Sequence, residues 1–213
     1  HRNPFARALF LKRYRNNTLS IVANDTALIL LDPLETYRNT FTQSQIAQMV
    51  QIVGAAQRMR VPVIVTRWVR TRGALGDVYD EIGHWSQYVP TSEEPLLKEL
   101  DHIKWDLWLD TVYTDAFAPV YQGGRRIENV LRGFLNRRNV QNLVIAGTWA
   151  EACVAQTAYA ASVYGMTPII LQPAVGGYFR LSLVMLDQIR AHVVNAVHFV
   201  ETEIRDPANF FRR

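Results

Sequence analysis

The sequence predicts an α/β fold of three layers, in which a central, mainly parallel sheet is covered by helices on both faces. Three observations lead there. Short, wholly apolar runs at 27–31 and 143–146 have the composition of strands buried on both faces. Other stretches carry apolar residues at helical spacing, with Ile46, Met49, Val50 and Val53 on one face. The two kinds of segment alternate along the chain, as parallel crossovers require.

The first 17 residues have no clean period and read as an arm lying on the body or on a neighbouring subunit. The run 27–31 ends at Asp32, with Pro33 immediately after, so it reads as a central strand stopped by an acid and a proline. Ser44 opens the first helix, and 61–66, VPVIVT, forms the second strand. From Arg67 to about Leu100 the sequence is irregular, with Gly73, Gly76, Gly83 and Pro90 among aromatic residues, as in a lid or pocket wall. A short strand is expected over 101–105, then loop over 110–124 and a helix over 127–136. The strand 143–146 meets Gly147, which breaks the extended pattern before a helix that begins near Glu151. A strand over 167–171, a helix over 182–195 and a last strand over 198–201 complete the set.

Composition narrows the classes of function. A chain of 213 residues that is 49% apolar suits one substantial core, so a basic arm (1–25) and one domain (26–213) are expected. No apolar run approaches the roughly 20 residues that span a bilayer, and nothing resembles a secretory leader. The single cysteine cannot form an internal disulfide, which suits a soluble protein of a reducing, cytoplasmic compartment. The net charge of +4 owes much to Arg2, Arg7, Lys12, Arg13 and Arg15. No aromatic-interleaved basic platform follows them, so neither nucleic acid nor membrane is an expected partner.

In a parallel sheet, ligands bind beyond the carboxyl ends of the strands. Asp32, Lys104 and Cys153 each stand at or just after the end of a different expected strand. Cys153 falls in the first turn of its helix, where unpaired N–H groups and the dipole favour a thiolate. Asp32 can take the thiol proton and return it, and Lys104 can favour both anions. Each residue also has a plainer reading: Cys153 as a small core residue, Asp32 as a turn cap, Lys104 as a solvated edge.

The stretches TALILLDPLETY, HIKW and LVIAGTWAEACVAQTAYAASVYGMTPIIL together resemble the isochorismatase-like cysteine hydrolases, from about Thr26 to Val200. The resemblance implies their Rossmann-like topology and a catalytic triad of Asp32, Lys104 and Cys153. It also implies a cis peptide bond between Thr148 and Trp149, and an oxyanion hole made by the backbone N–H groups of Trp149 and Cys153. The segment after Lys104 is longer than the family's, which leaves Lys98 as the alternative lysine. Leu34, Ala150 and Gln172 depart from the family's usual residues, so the substrate stays open. A substrate pocket would draw on Tyr37, Trp68, Trp105 and Trp149.

Family members that bind metal do so through an aspartate and histidines after the second strand. VTRWVRTRG supplies no such set, so a metal-free site without cofactor is expected. The implied reaction is hydrolysis of a C–N bond in a small amide, carbamoyl or ureido compound through a Cys153 thioester, by a homo-oligomer (dimer or tetramer). The rival is a catalytically silent relative that binds a ligand or serves in assembly. Cys153 itself argues against vinyl ether hydrolysis, which forms no acyl-enzyme.

Overall fold

A computed structural model describes residues 11–14, 19–69, 94–122, 125–177 and 197–213. In chain order the strands are β1 (Leu11–Tyr14), β2 (Ile21–Val22), β3 (Thr26–Leu31), β4 (Val63–Trp68), β5 (Leu107–Thr111), β6 (Val120–Gln122), β7 (Arg125–Ile127), β8 (Asn142–Gly147), β9 (Thr167–Val175), β10 (Val197–Val200) and β11 (Phe211–Arg212). The α-helices are α1 (Gln43–Arg58), α2 (Val130–Asn136) and α3 (Ala155–Val163). Among the described residues nine strands form one sheet in the order β1-β10-β9-β8-β3-β4-β5-β6-β7, and β11 pairs with β2 apart from it. Neighbours from β1 to β5 are parallel, while β6 and β7 extend the edge as an antiparallel hairpin.

The three layers follow from the pleat. All six residues of β3 are buried, and successive side chains enter opposite cores. Leu28 and Leu30 pack with Ile46, Met49, Ile52 and Val53 of α1, whereas Ala27, Ile29 and Leu31 pack with Leu131 and Phe134 of α2 and Ala158 and Ala161 of α3. Helix α1 begins in a capping box: Thr42 accepts from the Gln45 N–H and the Gln45 side chain accepts from the Thr42 N–H. No described helix is long and apolar enough to cross a membrane.

Several sequence expectations need correction. Residues 101–105 form a turn and irregular chain rather than a strand. The strand starts later because the Asp106 N–H donates to the Val63 carbonyl while its carboxylate accepts the Val63 N–H, which sets Leu107 opposite Ile64. Part of 110–124, read as loop, belongs to β5 and the hairpin. The arm, expected to lie on the body or on a neighbouring subunit, meets the body here without correction: β1 lies parallel to β10, and β2 pairs with β11. The expected helix over 182–195 and the connection over 70–93 lie outside the described residues.

Candidate active site

Two strand ends meet at the centre of the sheet. Strand β3 pairs with β8 along its whole length, with Leu31 opposite Gly147. The approach is close: a Cβ on Gly147, whose φ is 105°, would lie 2.1 Å from the Leu31 carbonyl oxygen. Only glycine supplies both the conformation and the space. The Thr148 N–H then donates to the Leu31 carbonyl at 2.8 Å, which fastens the turn after β8 to the turn after β3.

Asp32 follows directly, in a left-handed conformation with φ 49° that aspartate tolerates better than most residues. It is 1% exposed. Its carboxylate accepts the Thr66 hydroxyl through Oδ1 at 2.7 Å, and its own N–H donates back to Thr66 Oγ1 at 3.1 Å. The Trp68 N–H and the Cys153 thiol also bond to the carboxylate. Burial raises the Asp32 pKa to about 6, against the opposing effect of these three donors.

Cys153 lies within a single π-helical turn, Ala150–Val154, that leads into α3. The Thr148–Trp149 peptide bond before it is cis. The nearby backbone N–H groups of Trp149 and Cys153 favour the thiolate. They do not prevail. Burial, then the neighbouring Asp32 charge, pushes the thiol well above its ordinary range. The expectation of a thiolate at the helix start is therefore corrected: the resting pair is an ionised Asp32 accepting from a neutral thiol. Desolvation wins because the helix start is covered by protein rather than open to water.

The lysine assignment is corrected as well. Lys104 is exposed and precedes β5, at the amino end of the sheet, and its carbonyl accepts from Gln57 near the end of α1 at 3.4 Å. Three strand residues, roughly 10 Å, separate the level of Val63 from that of Thr66, and Lys104 lies beyond the Val63 end. Lys98, in the 3₁₀ turn Lys98–Leu100, is also exposed; its N–H donates to Glu35 and its charge acts on Glu35 and Glu99. Among the described residues, no cation moves the pKa of Asp32 or Cys153. Arg67, adjacent to Thr66, pairs instead with Asp110 at 2.9 Å.

The aromatic residues divide. Tyr37 lies edge-on to Trp149, with ring centroids 5.9 Å apart, and burial, helped by the neighbouring Asp32 charge, raises its hydroxyl pKa. Trp68 is buried, its indole N–H donating to the Val112 carbonyl at 3.2 Å, and its backbone reaches Asp32. Trp105 precedes β5 and shares the amino-end position of Lys104, so it is removed from the pocket. Thr66 was missed in the sequence. Its signal was one hydroxyl closing the apolar run 61–65 beside an acid-terminated strand.

Asp32, Cys153 and Thr66, at the carboxyl ends of β3, β8 and β4, define an α/β protein with an acid–thiol crevice. The chain belongs to the isochorismatase family: the family model for the isochorismatase domain matches residues 26–196. Among solved structures it is similar to a cysteine hydrolase from Pseudomonas syringae pv. phaseolicola 1448A, with a TM-score of 0.65 and 17% identity over 85% of this chain and 91% of that one. It is similar also to N-carbamoylsarcosine amidase from Thermoplasma acidophilum, with a TM-score of 0.63 and 16% identity over 85% of this chain and 99% of that one. The MAR1 ribonuclease of Caenorhabditis elegans shares the fold too, with a TM-score of 0.56 and 16% identity over 85% and 80% of the two chains. No curated protein matches in sequence. At such identities the likeness concerns the fold, and function rests on the site.

Proposed function

We propose that the protein hydrolyses a C–N bond in a small amide, carbamoyl or ureido compound through a thioester on Cys153. The observation that carries this reading is the buried Cys153 thiol set against the buried Asp32 carboxylate, in a turn whose Trp149 and Cys153 amides favour the thiolate. As Sγ bonds to the substrate carbonyl carbon, the thiol proton passes to Asp32 and the carbonyl electrons move to oxygen. That oxyanion accepts from the N–H groups of Trp149 and Cys153. Its collapse expels the amine, which takes the proton from Asp32. Water then attacks the thioester, Asp32 accepts its proton, and the departing sulfur recovers that proton. Transfer to Asp32 during attack replaces a preformed thiolate.

Ammonia release from a panel of primary amides and ureido acids tests this reading. One or more should turn over in wild type and none in Cys153→Ala, with the fold retained. Equal turnover by both proteins would remove cysteine catalysis. The raised thiol pKa, with no described lysine acting on it, favours a second reading, a silent relative that uses the crevice to bind. Failure of iodoacetamide to label Cys153 in the folded protein would select it.

A further inference from the structure

Thr66 occupies an unusual position for a strand residue. The run 63–65 is apolar and buried, and Thr66 is itself only 1% exposed, yet its hydroxyl does not turn back on its own strand. It makes two buried contacts with one residue 34 positions earlier: it accepts the Asp32 N–H at 3.1 Å and donates to Asp32 Oδ1 at 2.7 Å. A hydroxyl has one proton and two lone pairs, so accepting the N–H directs the proton to the carboxylate. Threonine is stiff about χ1, whereas the carboxylate torsion of aspartate is broad. The rigid partner therefore sets the orientation of the soft one.

We propose that Thr66 is a positioning residue for the acid–thiol pair, holding the Asp32 carboxylate by Oδ1 so that its remaining acceptor sites serve the Cys153 proton. This rests on the reading of Asp32 as the group that takes the thiol proton. Among the described residues, the titratable groups facing the carboxylate are Cys153, from the turn before α3, and Tyr37, from the 3₁₀ turn Glu35–Thr40. Neither is a cation. Among the described residues, the Thr66 hydroxyl and the Trp68 N–H, beside the thiol itself, are thus the neutral donors that keep Asp32 ionisable against its burial. Loss of a donor to a charged acceptor should be felt directly in the titration of that acceptor.

The test follows the Asp32 carboxyl carbon by ¹³C NMR across pH in the full chain, with Asp32→Asn to assign the signal. Thr66→Val, which keeps the shape and removes the donor, should move the midpoint upward by about one unit or more. Thr66→Ser should restore the wild-type midpoint. A valine variant that titrates as wild type does, or a serine variant that titrates as the valine variant does, overturns the proposal. If the valine variant does not fold, wild type decides: the Thr66 hydroxyl proton should be slow enough in exchange to observe, and its shift should change with the Asp32 midpoint. A freely exchanging or pH-insensitive hydroxyl overturns the proposal. Iodoacetamide labelling separates the two readings, since an unreactive Cys153 would refute the hydrolase while the titration still decided the role of Thr66.

Discussion

Asp32→Asn should abolish turnover and stabilise the protein at the same time. Asp32 is buried, and its pKa rises from 3.8 to about 6 on folding. The folded protein thus holds a proton through the window in which the unfolded chain has lost it. Stability from this group is complete below about pH 4 and is lost as pH rises through about 6, after which the cost is constant. A difference of roughly two units is worth about 3 kcal/mol. Asparagine carries no charge to desolvate and still accepts from Thr66 through Oδ1, but it presents an amide where the second carboxylate oxygen stood. A net gain of about 1–3 kcal/mol at pH 7.5 is therefore expected, or about 3–9 °C in Tm for a domain of this size. Thermal unfolding of both proteins at pH 4.5 and pH 7.5 measures it. The advantage of the variant should shrink by half or more at the lower pH. An asparagine variant no more stable at pH 7.5, or one whose advantage is the same at both pH values, would refute the assignment of burial as the main force on Asp32.

Lys104→Met should change the rate and pH dependence of Cys153 alkylation by less than about two-fold, because an exposed residue at the amino end of the sheet has little electrostatic reach to the thiol. A large upward shift of the thiol titration in that variant would refute the placement of Lys104 away from the thiol. Gly147→Ala should cost about 3 kcal/mol or more and disturb labelling of Cys153, since the added Cβ meets backbone at 2.1 Å where φ is 105°. Chemical denaturation gives the value, and a loss under about 1 kcal/mol would refute the close approach of β3 and β8.

The central strands were legible because parallel strands buried on both faces read as unbroken apolar runs, and their ends are marked by residues that cannot continue them. Asp32 before Pro33 and Gly147 before the helix are such marks, and the structure brings both to the same edge. The orientation of Lys104 was not legible. Ile103 and Trp105 flank it as the apolar face of a short strand would, 107–109 is an apolar run close behind, and periodicity cannot say which of the two pairs with β4. The bonds between Asp106 and Val63 decide it, across 43 residues of chain.

The protonation state of Cys153 needed the folded chain for a similar reason. Local sequence places the thiol at a helix start and predicts an anion, but the titration also depends on how much water and charge surround it. Those come from β3 and from the protein packed over the turn, which raise the pKa against the local amides. Thr66 illustrates the same division. That a hydroxyl ends an apolar strand is written in residues 61–66; that its one proton goes to Asp32 depends on β3 and β4 lying side by side in one register. Patterns set by the nearest few residues are therefore carried by the chain itself. Burial, partners and charge state arise only when distant segments pack, because each is a property of the space between them.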